Sequence, residues 1–162
     1  MPTFSVGEKA VVPVCGVGVI REIEKVTIEG KDYKFYVLKI LDNGMIYKVA
    51  VNRADAEGMR KIIPKDAVEK VYAVLKDRTK EADKQTWNRR YRDYMHKIKT
   101  GDPLEIAGVL RDLALLKMEK QLSFGERKLY DQAHSLIIQE LSVAKDVDEG
   151  IVKTEIDKLF TK

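Results

Sequence analysis

The chain is poor in the residues that metal and redox chemistry require. It has one cysteine, Cys15, and two histidines, His96 and His134, far apart in sequence. A single cysteine excludes an internal disulfide, and three scattered ligands are too few for a dedicated zinc site. No apolar run approaches the roughly 20 residues that a membrane span needs. The opening MPTFSVGEKAVV has no basic stretch leading into an apolar one, so no signal peptide is expected. The expected location is cytoplasmic, with no membrane partner.

Catalytic signatures are scarce too. Cys15-Gly16-Val17-Gly18-Val19 echoes a dinucleotide-binding loop, but the third glycine is missing and no helix pattern follows. Gly16 and Gly18 suit a bend or a bulge in a strand better. No phosphate-binding G-x-x-x-x-G-K-[ST] occurs, and no Ser or Cys stands in a recognisable nucleophile pattern. His96 and His134 fall on expected helices, where a structural role outweighs a catalytic one. No enzymatic activity, cofactor, metal or small-molecule substrate is expected.

What the chain does have is charge, unevenly spread. Of 162 residues, 35% are charged and 44% apolar, with a net charge of +4. Residues 76–99 hold nine basic and four acidic side chains, whereas residues 136–162 hold four basic and six acidic. The positive charge therefore peaks around the only tryptophan, Trp87, in QTWNRRYRDYM. A charge run of this kind is usually a solvated face.

Two hydrophobic periods divide the chain. Before about residue 62, short β-rich runs (Lys9–Pro13, Val17–Ile20, Phe35–Leu41, Met45–Val51) are separated by turn signals at Gly7-Glu8, Glu29-Gly30-Lys31-Asp32 and Asp42-Asn43-Gly44. Asn-Gly is a strong hairpin signal. After Pro64 the period lengthens to that of a helix. Asp66 with Glu69 reads as a capping pattern, and Val68, Val71, Tyr72 and Leu75 follow as a stripe. A second helix is predicted over about 84–99. A third starts at Asp102-Pro103 and carries Ile106, Ala107, Leu110, Leu113 and Ala114. A fourth is capped by Ser123 with Glu126 and carries Leu129, Ala133, Leu136, Ile137 and Leu141. The expected fold is α+β. A small antiparallel Tudor/SH3-like β-barrel (1–62) precedes an all-α helical bundle (66–145) and an acidic tail (146–162). Within that tail a short, loosely held helix is expected over Ile151–Phe160.

On the second helix, Trp87, Tyr91, Tyr94, Met95 and Ile98 share a face. Gln85, Arg89 and Arg92 lie on one flank; Thr86, Arg90 and Lys97 lie on the other. Two readings are open. The stripe is core and includes Trp87, with the arginines covering the indole by cation–π contact. Alternatively, Trp87 lies in the first turn, where a stripe runs off its partner, and faces nucleic acid. Arginines would then hold phosphates while the indole stacks on a base or wedges between steps.

Several segments carry a resemblance to a known family. They are FSVGEKAVVPVCGVGVIREIEKVTIEGK, FYVLKILDNGM, TWNRRYRDYMHKIKTGD (86–102), EIAGVLRDLALLK (105–117) and LSFGERKLYDQA (122–133). Over about 4–144 the chain resembles the CarD/CdnL family of bacterial RNA-polymerase-binding transcription regulators. The resemblance implies an N-terminal Tudor-like module, similar to the polymerase-interacting domain of transcription-repair coupling factors, that binds the RNA polymerase β subunit. It implies a helical domain on promoter DNA at the upstream edge of the bubble, where a tryptophan wedges and prolongs the open complex. It places the wedge on Trp87, the adjoining basic position on Arg89 with Arg90 and Arg92 beside it, and a nearby methionine on Met95. Lys97 joins this DNA-facing set from the flank reading. The polymerase-binding hairpin falls on Met45, Tyr47, Lys48, Val49, Ala50 and Val51. Where the family commonly carries V-P or I-P, this chain has Val49-Ala50. Past Ala144 no family counterpart is aligned. The competing functions are an adaptor on RNA polymerase that never touches DNA, and an accessory factor in transcription-repair coupling.

Overall fold

A computed structural model describes residues 4–78 and 86–161. The predicted start of the second helix near residue 84, and Gln85, lie outside the described residues. The chain divides into two compact units, Met1–Ile62 and Ile63–Lys162.

The first unit is one antiparallel sheet. Its strands are β1 (Lys9–Val12), β2 (Gly16–Ile28), β3 (Lys31–Ile40), β4 (Ile46–Ala50) and β5 (Arg60–Lys61), in the order β4-β3-β2-β1-β5. The β architecture matches expectation, but the sheet does not close: β4 and β5 stand at its two ends. The strands curl over one core of Phe4, Ala10, Val12, Ile20, Tyr36, Leu38, Ile40, Val49, Ala54 and Met59. Phe4 meets the Tyr36 ring edge-on at 5.5 Å, and the Tyr36 hydroxyl accepts the Phe4 N–H at 3.2 Å. The chain start is thereby pinned into the core, which offsets the usual fraying of a terminus.

The turns follow from backbone chemistry. Ile28 pairs with Lys31, leaving Glu29 and Gly30 as a two-residue loop with φ of 51° and 78°. Positive φ at both positions is the mirror-image turn whose twist matches a hairpin. Strand β2 is longer than the sequence suggested and already includes Ile23 to Ile28. Its bulge falls at Arg21, between Ile20 and Glu22, and not at the glycines. Gly18 serves a different purpose: a Cβ there would lie 3.2 Å from Leu38 Cδ2 on β3. In the β3–β4 loop, Gly44 alone takes positive φ (73°), while the Asn43 Oδ1 accepts the Met45 N–H at 2.9 Å.

The second unit holds α1 (Lys65–Lys76), α2 (Trp87–Lys99), α3 (Pro103–Glu119), α4 (Phe124–Lys145) and α5 (Glu149–Leu159). The predicted Asp66 cap is not made. Pro64 occupies the cap position, and Asp66 sits inside the first turn, where its charge still favours the helix dipole. The other two caps form as read. Asp102 accepts from the Leu104 N–H at 2.9 Å. Ser123 and Glu126 make a reciprocal capping box at 3.3 and 2.9 Å. The predicted stripe of α3 is buried throughout, and so is that of α4 except for the half-buried Leu136.

Helix α5 is not a loose tail. Val152 is 0% and Ile156 1% exposed. Two of its acidic groups, Glu155 and Asp157, are paired within the unit. Glu155 accepts from Lys145 Nζ at 2.7 Å and from the Tyr72 hydroxyl at 2.9 Å, and Asp157 lies 3.0 Å from His134 Nε2. Arg78 donates to the Leu159 carbonyl at 3.0 Å and lies over the Phe160 ring. No helix among the described residues is long and apolar enough to cross a membrane.

Candidate functional site

The first candidate surface is where the N-terminal ends of α2 and α4 meet. Thr86 is the α2 cap residue without a side-chain cap bond, so Trp87 occupies the first helical position. The leading N–H groups of a helix lack intrahelical acceptors and carry partial positive charge. Trp87 is half-buried. Its indole meets Tyr91 edge-on at 5.8 Å and rests against Gly125 of α4, where a Cβ would fall 3.0 Å from Cζ2. The stripe is thus split along its length. Tyr94 and Ile98 are core, at 4% and 0% exposure; Met95 is half-buried, and Tyr91 is exposed.

The three arginines differ. Arg90 is turned inward. Its guanidinium carbon lies 5.7 Å from the Trp87 ring centroid and 5.8 Å from that of Tyr94, and Nη2 is 4.0 Å from Glu126 Oε2. Its Nε is buried without a hydrogen-bond partner. Burial alone would push the Glu126 carboxyl up, but bonds from the Ser123 N–H and hydroxyl, with Lys120 and Arg90 nearby, hold it below the usual range. Arg89 and Arg92 are exposed. At roughly 100° per residue Arg89 lies about 200° round from Trp87 and Arg92 about 140°. The predicted set therefore does not converge on one spot. Trp87 and Arg90 are together, Met95 flanks them, Lys97 is half-buried on the Arg90 side, and Arg89 faces the other way.

Sequence reasoning missed Phe124. It is 81% exposed at the first position of α4, beside the Gly125 on which the indole rests, and Lys128 Nζ lies 5.4 Å from its ring centroid. A signal existed: Phe124 follows a cap residue, lies off the Leu129–Ala133 stripe and precedes Arg127 and Lys128, much as Trp87 precedes Arg89 and Arg90.

The second candidate surface is β4 at the end of the sheet. The Ile40 N–H donates to the Met45 carbonyl at 2.8 Å, and Lys39 is opposite Ile46. Antiparallel alternation then turns the N–H and C=O of Met45, Tyr47 and Val49 toward β3, and those of Ile46, Lys48 and Ala50 away from it. Side chains alternate as well. Val49 is 3% exposed, with its side chain packed into the core. Tyr47 and Val51 pack against the same core, and burial pushes the Tyr47 phenol up. Met45 and Ile46 are 54% and 55% exposed, and Lys48 Nζ reaches Glu24 at 3.0 Å. Ile46 is the exposed residue that the predicted set omitted.

The candidate surfaces are thus the β4 edge of an open sheet and an aromatic, arginine-bordered end of a helical unit. Comparison with known proteins assigns both units to a family. The CarD-like/TRCF RID domain matches residues 4–63, and the CarD C-terminal domain matches residues 70–157. "Putative transcription factor YdeB" of Bacillus subtilis (strain 168) is 30% identical over 93% of this chain and 98% of its own length. CdnLNt from Myxococcus xanthus is 41% identical over 39% of this chain and 89% of that chain, with a TM-score of 0.33. The chain belongs to the CarD/CdnL family of transcription regulators. The family match runs to residue 157, so α5 has a family counterpart, contrary to the expectation from sequence.

Proposed function

We propose that this protein docks on the RNA polymerase β subunit through the β4 end of its sheet and stabilises the open promoter complex through the α2–α4 end of its helical unit, with Trp87 as the wedge. The carrying observation is the half-buried indole at the surface, edge-on to the exposed Tyr91 and resting on Gly125, next in the chain to the exposed Phe124. Such a ring has an apolar edge to offer an unstacked base, and stacking is worth about 1–3 kcal/mol per base without demanding a sequence. Membership of a transcription-factor family supports the polymerase half of the reading. Docking raises the local concentration of the second surface at its target, so a few basic contacts suffice.

The test is the lifetime of open complexes on purified bacterial RNA polymerase, with wild type and Trp87→Ala. The wild type is expected to prolong it and the variant to lose the effect while still binding polymerase. Equal lifetimes would refute the wedge. They would favour the adaptor reading, which the inward commitment of Arg90 supports, because it removes one of the arginines counted as phosphate contacts.

A further inference from the structure

Four observations converge on the surroundings of the indole. Gly125 lies flat against it; a Cβ there would be 3.0 Å from Cζ2, 3.6 Å from Cε2 and 3.7 Å from Nε1. Arg90 lies near the Trp87 and Tyr94 rings, at 5.7 and 5.8 Å from their centroids. Glu126, 3% exposed, faces Arg90 Nη2 at 4.0 Å. Glu126 is itself immobilised, because its Oε1 accepts the Ser123 N–H at 2.9 Å. Each link fixes the next: the capping box holds the carboxylate, the carboxylate holds the guanidinium, and the guanidinium covers the ring.

We propose that the first turn of α4 is a seat for Trp87, in which Gly125 and, through Arg90, Glu126 set how the indole is presented. Gly125, Arg90 and Glu126 are positioning residues and not contacts to a partner. The inference deepens the function proposed above and rests on it for its consequence, though not for its geometry. It explains why glycine stands in a helix that would favour alanine: a Cβ would press on the ring at 3.0 Å, and a longer side chain would displace it. It also explains a buried Arg90 Nε without a partner. The cost of that N–H is offset by ring and carboxylate contacts that hold the fork in place.

Trp87 is the only tryptophan, so its emission reports this seat alone. The variants are Gly125→Leu, which fills the seat with a good helix former, Arg90→Met, which keeps bulk without charge, and Gly125→Ala as the mildest change. The readouts are the emission maximum, acrylamide quenching, polymerase affinity and open-complex lifetime on purified bacterial polymerase. Gly125→Leu and Arg90→Met are expected to shift emission to the red, raise quenching and lose most of the lifetime extension at unchanged polymerase affinity. Gly125→Ala is expected to move the same way by less. Unchanged emission and quenching in all three would overturn the seat, as would loss of polymerase affinity together with the lifetime. If emission moves while Trp87→Ala leaves the lifetime untouched, the seat stands and the proposed wedge fails.

Discussion

Lys145 Nζ lies 2.7 Å from Glu155 Oε2, and the Tyr72 hydroxyl donates to the same oxygen at 2.9 Å. One carboxylate thus ties α5 to α4 and α1. Glu155 sits below the usual carboxylate range, chiefly through the bond from Lys145 and then that from Tyr72. Asp157 is also lowered: burial opposes it, and bonds from Lys153 and His134 outweigh burial.

A carboxyl whose native pKa is depressed contributes stability that is complete above its unfolded value and is lost as pH falls through the native one. The helical unit is therefore expected to hold its stability down to about pH 5 and to lose it progressively below about pH 4. Lys145 is raised, first by its bond to Glu155, so its share is lost only as pH rises above about 10.4. Thermal melts of wild type and Glu155→Gln across pH should converge in acid. A gap that stays constant would exclude this tie as the cause.

Ile156 is 1% exposed. Ile156→Ala should cost about 3 kcal/mol, the cost of a cavity in a packed interior. Urea unfolding measures it. A loss within about 0.5 kcal/mol, as at surface positions, would mean that α5 is a dispensable appendage.

Ala50 has φ −62° and ψ 131°, which a proline ring adopts unstrained. The register turns its N–H away from β3, so the ladder loses no bond. Ala50→Pro is expected to keep the fold and gain roughly 0.5 kcal/mol by restricting the unfolded chain. A fall in the unfolding midpoint would show that the N–H does face the sheet.

Neighbours on β4 should separate cleanly. Val49→Ala is expected to destabilise the first unit by about 2 kcal/mol, because it empties part of a packed core. Ile46→Lys should change stability within about 0.5 kcal/mol and weaken polymerase binding. Binding lost equally in both, at matched folded fraction, would remove the distinction between core and contact residues.

Much of this was legible in local patterns. β-rich runs between turn signals located β1, β3 and β4, and the Ser123–Glu126 and Asp102–Pro103 signatures fixed two helix starts, because a cap is chemistry within four residues. Asp66 and Glu69 match a capping spacing, yet Pro64, two residues earlier, takes the cap position. Other features depended on partners distant in sequence. The acidic residues of α5 read as a solvated tail, because Lys145, Tyr72 and His134 lie on other helices. Arg90 reads as lying on the opposite flank from Arg89 and Arg92, and its contact with Glu126 of α4 turns it inward. The inward side chain of Val49 follows from its alternation with the exposed Lys48.

The position of Lys48 bears on self-association. Ile46, Lys48 and Ala50 turn their hydrogen-bonding groups outward from the end of the sheet. A second copy pairing antiparallel about the centre of this strand would set Lys48 against Lys48. Like charges directly opposite are destabilising, and a lysine on a short edge strand is a common guard against edge-to-edge aggregation. A different protein need bring no lysine to that position. The strand proposed as the docking edge therefore discriminates against its own kind.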